Sequence, residues 1–82
     1  MMTSELRLCT FNCRSIKNSW AEVQQLCVNH DIILLQEHWL LPSELQILSD
    51  VHDEFFACGA SAVNVSTDIV GRPYGGTAAH IV

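Results

Sequence analysis

Two polar residues sit at the ends of apolar runs: Asn12 near the end of residues 6–13, and Glu37 directly after residues 31–36. A carboxylate and an amide oxygen brought side by side begin a site for a hard cation such as Mg²⁺, which prefers oxygen ligands and keeps several of its waters. A charge straight after Ile32-Ile33-Leu34-Leu35 is expensive unless it is paired, hydrated or bound to a metal. The bland alternative is a strand that has simply emerged into solvent at Glu37, with Asn12 closing its own strand by bonding its own backbone. Asn12 and Glu37 on neighbouring strands favour a site, of which these two oxygens are only the beginnings. Gln36 is expected on the face opposite Glu37, as a hydrogen-bonded boundary residue.

The remaining chemistry-bearing residues offer less. His30, His38, His52 and His80 show no metal-ligand spacing and read as surface or helix-end residues. Gly71, Gly75 and Gly76 precede a strand rather than join a strand to a helix, so they serve a turn and not a phosphate-cradling loop. Arg14, Lys17 and Arg72 fall in loops where a phosphate could be met, although solvated loop cations are common. The four cysteines form no C-x-x-C pair, and Cys9, Cys13 and Cys27 lie in apolar-periodic segments, where a reduced thiol behaves as a small hydrophobe.

The elements that must position Asn12 and Glu37 form a strand, a helix and a strand. Residues 6–13 carry β-compatible side chains on both faces and suit a central strand. Ser19-Trp20-Ala21-Glu22 has the form of a capping box at the start of a helix. That helix places Trp20, Val23, Leu26, Cys27 and His30 along one stripe and ends near Asn29. Residues 31–36 read as a buried parallel strand, and the whole has the size of a right-handed βαβ unit, about 30 residues. Two parallel strands so joined put Asn12 and Glu37 together at the carboxyl edge, where open α/β sheets bind ligands.

Further along, residues 42–48 predict a short helix starting at Pro42, and Asp50, Asp53 and Glu54 mark a solvated turn. Residues 55–65 predict an extended segment in which Gly59 hints at a bulge. Gly71-Arg72-Pro73-Tyr74-Gly75-Gly76 is turn-rich and leads to a strand expected to pair antiparallel with the one before it.

Composition bounds the function. The chain has 82 residues with 49% hydrophobic content, at most one domain and more apolar than so short a chain can bury, so it reads as an incomplete domain over 1–82. A net charge of −5 is the wrong sign for a stand-alone nucleic-acid binder held by phosphate neutralisation. The N-terminus lacks the pattern of a secretory signal, and no apolar run approaches the roughly 20 residues of a membrane helix, so an intracellular, soluble setting is expected.

Three segments carry a resemblance. Leu8-Cys9-Thr10-Phe11-Asn12-Cys13-Arg14-Ser15, then Asp31-Ile32-Ile33-Leu34-Leu35-Gln36-Glu37-His38-Trp39-Leu40, then Gly71-Arg72-Pro73-Tyr74-Gly75-Gly76-Thr77-Ala78 resemble the N-terminal part of the endonuclease/exonuclease/phosphatase superfamily. The likeness is greatest to the endonuclease domains of non-LTR retrotransposon reverse-transcriptase polyproteins. The resemblance implies an α/β fold, the N-terminal part of a four-layered α/β/β/α sandwich, and cleavage of phosphodiester bonds in DNA with Mg²⁺, or Mn²⁺ in its place. It implies Glu37 as principal metal ligand and Asn12 as the residue that helps orient the metal and the scissile phosphate, the two forming the catalytic set present here.

The family's phosphate-contacting tyrosine, Asp-x-Asn pair and Ser-Asp-His segment find no match in this sequence, and Ala79-His80 departs from two usual apolar residues. The resemblance therefore implies a fragment inactive by itself, with the rest of the domain and a polymerase region expected in a full-length protein. Alternatives are a phosphomonoesterase or phospholipid-headgroup member of the same superfamily, and a non-catalytic α/β interaction protein in which Asn12 and Glu37 merely bond across the sheet edge. Sheet faces lacking their second layer predict aggregation or molten behaviour in isolation.

Overall fold

The computed structural model describes residues 5–62 and 75–82. Expectations for Arg72, Tyr74, Gly71, Val63 and Val65 fall outside those residues. The chain builds β1 (Leu8–Asn12), α1 (Trp20–Asn29), β2 (Ile32–Gln36), a 3₁₀ helix (Pro42–Asp50), β3 (Phe56–Ala60) and β4 (Thr77–Ile81). Among the described residues the strands make one mixed four-stranded sheet in the order β1-β2-β4-β3. The fold is α/β, as the sequence predicts.

The βαβ unit forms as expected, with β1 parallel to β2 and Asn12 opposite Gln36. At its far end Arg7 and Asp31 clasp the two strands: the Arg7 N–H donates to Asp31 Oδ2 at 2.9 Å and the Asp31 N–H to the Arg7 carbonyl at 2.7 Å. Strand β4 pairs antiparallel with β3, the expected hairpin-like partner, and also with β2 on its other side. It is therefore an interior strand.

One face of the sheet is covered. Ile33 and Leu35 of β2 and Ala78 of β4 join Val23 and Cys27 of α1 and Leu48 of the 3₁₀ helix in a single core. The β2 run supplies this because every second residue of a β-branched and leucine-rich strand turns to the same side. Gly59 lies in regular one-to-one register with Ala78, so the expected bulge is absent. The glycine serves a close approach, since a Cβ there would come within 2.6 Å of Leu48 Cδ1 and 3.0 Å of the Thr77 carbonyl.

The other face is open, which corrects the reading of residues 6–13 as a strand buried on both sides. Strand β1 lies at the sheet edge with Leu8 and Thr10 exposed. In register across the open face stand Leu8, Ile32, Ile81 and Phe56, and beside them Thr10, Leu34, Ala79 and Cys58. Phe56 is 81% exposed and Leu8 58%.

The Ser19–Glu22 capping box is not made. The Ser19 hydroxyl donates instead to the Ser15 carbonyl at 3.0 Å, and the helix start has no side-chain cap. A reciprocal arm of this kind forms at the 3₁₀ helix, where Glu44 Oε1 accepts from the Leu41 N–H at 3.0 Å.

Two histidines expected at the surface are wholly buried, His38 and His80, each 0% exposed. His80 Nε2 donates to the Leu48 carbonyl at 2.6 Å, which explains a histidine at a position flanked by core contacts. Burial holds its imidazole below the ordinary histidine range, opposed by that hydrogen bond.

Candidate functional site

Asn12 is the last residue of β1 and Glu37 the first residue after β2, so parallel pairing carries both to the same carboxyl edge of the sheet. Pairing alone does not bring their side chains together. The residue opposite Asn12 in the ladder is Gln36, which shares the open face with it, and regular alternation would send Glu37 to the covered side. The backbone breaks that alternation: Glu37 has φ 56°, in the left-handed region. Its carboxylate turns back, and Asn12 Nδ2 donates to Glu37 Oε2 at 2.7 Å.

A left-handed conformation at a non-glycine residue costs about 1–3 kcal/mol and persists only where neighbouring bonds over-determine it. Here Arg14 (φ 46°), Ser15 (φ 84°), Glu37 and Trp39 (φ 59°) all lie at this edge. A lattice of backbone bonds fixes them. The Glu37 N–H donates to the Gly76 carbonyl at 2.7 Å, the Trp39 N–H to the Gly75 carbonyl at 3.0 Å, the Ser15 N–H to the Glu37 carbonyl at 2.9 Å, and the Ile16 N–H to the His38 carbonyl at 3.1 Å. Concentrated strain of this kind is found where a side chain must be aimed.

The donor set is all oxygen. Asn12 spends its Nδ2 on Glu37, which leaves Asn12 Oδ1 and Glu37 Oε1 as the two oxygens that this bond does not use. One carboxylate and one amide oxygen fit Mg²⁺, which is bound through one or two carboxylates plus waters and substrate oxygens. Among the described residues no group of three His, Cys, Asp or Glu side chains is placed to hold one ion, so a transition-metal cage is not offered.

Of the basic residues assigned to loops, Arg14 is exposed two residues after the end of β1. Lys17 is engaged elsewhere: its ammonium bonds the Glu44 carboxylate at 2.5 Å, and that bond, with the Leu41 N–H, holds the Glu44 carboxyl below its usual range. Cys13, beside the site, is a free, buried thiol. Burial pushes its thiol up to about 11, with the Ser19 hydroxyl opposing and the Glu37 charge adding. The cysteines are all free, Cys13 and Cys27 buried and Cys9 half-buried, close to the sequence reading.

Sequence reasoning placed Asn12 and Glu37 at one edge and missed the Gly75, Gly76 and His38 carbonyls that accept backbone bonds around them. The two glycines carried a signal, since a doubled glycine before a strand often marks positive φ, and both have it, 92° and 93°.

No family model matches the chain, and no curated protein matches it. Its fold is similar to a solved one. The chain superposes with a TM-score of 0.68 on NExo, a 3′ phosphatase from Neisseria solved with a product DNA hairpin, at 20% sequence identity. The match covers 94% of this chain and 27% of that one, so the chain spans about a quarter of the length of the protein it resembles. Among the described residues no helix is long and apolar enough to cross a membrane.

Proposed function

We propose that this chain is the metal-holding part of a Mg²⁺-dependent phosphodiesterase acting on DNA, an endonuclease domain of the retrotransposon type within the endonuclease/exonuclease/phosphatase superfamily. Glu37 is the principal metal ligand and Asn12 the residue that orients it. The observation that carries this reading is the Asn12–Glu37 bond at the carboxyl edge of two parallel strands, made by a strained backbone. The fold likeness to a phosphatase solved with DNA supports it, as does the ordered set of three motifs in the sequence.

In this reading Asn12 fixes the carboxylate through Nδ2, and Glu37 presents its other oxygen to the cation. When bound, Mg²⁺ supplies Lewis-acid stabilisation of charge on the phosphate and the leaving oxygen. Neither Asn12 nor Glu37 is left to activate the attacking water. The 82 residues alone therefore bind the ion without turning over substrate.

The solved neighbour's activity favours a second reading, removal of a terminal phosphate from DNA rather than cleavage within the strand. Mn²⁺ titration followed by NMR line broadening tests the shared part: broadening centred on Asn12 and Glu37 is expected, and broadening elsewhere would leave a non-catalytic interaction protein. Supercoiled-plasmid nicking and phosphate release from a 3′-phosphorylated oligonucleotide separate the two enzymes in any longer chain containing this one. With the 82 residues alone neither is expected, and nicking lost in Glu37→Ala would overturn the proposed inactivity.

A further inference from the structure

His38 directly follows Glu37 and contributes no atom to the pair with Asn12, yet it is a wholly buried polar side chain at this edge. Its ring is fully buried and both nitrogens are used. The Leu40 N–H donates to Nδ1 at 2.9 Å, which places the ring proton on Nε2, and Nε2 donates to the Ala60 carbonyl at 2.9 Å. One ring thus joins the end of β2 to the end of β3, two strands that are not neighbours in the sheet.

The same ring lies against Gly76. A Cβ at position 76 would come within 2.3–2.8 Å of His38 Cε1, Nε2 and Nδ1, so the imidazole fills the space a side chain there would need. The Gly76 carbonyl is in turn the acceptor for the Glu37 N–H. An apolar ring of similar size would fill the volume but leave the Leu40 N–H and the Ala60 carbonyl without these partners, a cost that buried backbone groups do not escape.

We infer that His38, as the Nε2–H tautomer, is the positioning residue for Glu37: its ring seats Gly76, and the Gly76 carbonyl holds the Glu37 amide in the left-handed conformation that returns the carboxylate to Asn12. The inference rests on the proposed function only for what the carboxylate then binds. The bond partners and the contact with Gly76 are properties of the chain without any ligand.

The test reads Glu37 directly by NMR on the full chain, through amide exchange and the one-bond Cα–Hα coupling that reports the sign of φ. In the unaltered chain the Glu37 amide is protected and φ is positive. His38→Phe lowers Glu37 protection by about tenfold or more and removes the positive-φ signature, while Val23 of α1, whose N–H donates to the Ser19 carbonyl, keeps its protection. His38→Gln, which retains a donor able to reach Ala60, restores part of the loss.

Unchanged exchange and coupling at Glu37 in both variants would overturn the inference. A measurement that requires no variant backs this up: a long-range ¹H–¹⁵N spectrum of the ring shows the Nε2–H tautomer, and a proton on Nδ1 would overturn it equally. Titration with Mn²⁺ alone separates the two claims. Absence of broadening at Glu37 in the unaltered chain, with its positive φ intact and lost in His38→Phe, overturns the metal reading and supports the positioning role.

Discussion

Asn12 faces Gln36 across the β1–β2 ladder but bonds Glu37, one residue further on, at 2.7 Å. The sheet alone does not make that contact; a single left-handed residue does. Removing the carboxylate in Glu37→Ala will abolish Mn²⁺ binding at this edge. Asn12→Ala, which frees the carboxylate to rotate, will weaken binding by about tenfold, the scale of one hydrogen bond. Titration of Mn²⁺ followed by electron paramagnetic resonance checks both, and a variant pair indistinguishable from the parent chain would show that the contact is purely structural.

Stability will depend on pH through His80. Its folded-state pKa is depressed by burial, so the folded chain binds fewer protons there than the unfolded chain, whose histidine titrates near 6.5. The native state therefore keeps its full advantage above that value and loses it as pH falls below. Urea midpoints at about pH 7.5 and about pH 5.5 will differ, and His80→Gln will narrow the difference, by loss of the histidine's own titration. Asp31 adds a second, more acidic window. The Arg7 amide and guanidinium hold its carboxyl below the usual range, so their support is present above about pH 4 and lost below it.

Much of this arrangement was legible in the sequence. The βαβ unit, the helix at 20–29 and the arrival of Asn12 and Glu37 at one carboxyl edge follow from apolar periodicity and the geometry of parallel strands. What periodicity could not show was the backbone. A pattern of side chains gives no sign that Glu37 takes a positive φ, or that His38 and His80 find backbone carbonyls in the core, because those partners come from residues more than twenty positions away. The Ser19 capping box failed for a similar reason, since the Ser15 carbonyl competed for the hydroxyl. The central-strand reading of residues 6–13 failed because alternation shows which residues share a face, without showing that the sheet ends there.

Thiol reactivity will rank the cysteines. Cys58 is exposed, while burial raises Cys9, Cys27 and most of all Cys13, which reaches about 11. Iodoacetamide under mildly alkaline conditions will label Cys58 first and Cys13 last, as followed by peptide mass spectrometry. Early labelling of Cys13 would contradict its burial.

Leu48 packs its side chain beneath Gly59 with 1% exposure, and it is the main anchor of the 3₁₀ helix. Leu48→Ala will cost about 2–5 kcal/mol, enough to unfold a chain with so small a core. Circular dichroism of the variant will show the loss.

The open face, with Phe56 and Leu8 largely exposed, will bind the dye ANS and drive association. Phe56→Lys will reduce both without lowering the unfolding midpoint, since that ring contributes little to the covered core. Dye fluorescence and light scattering measure the change, and an inert parent chain would show that the face is protected in solution.

Strand β4 follows β3 in the chain, yet it lies between β2 and β3. A nascent chain that has not yet emitted β4 has a βαβ unit on one side and an unattached β3 on the other, with no Gly76 carbonyl for the Glu37 amide to find. The ribosome must therefore release β4 before the carboxylate is aimed, so a premature stop between Glu37 and β4 yields a polypeptide that contains both Asn12 and Glu37 but not their alignment.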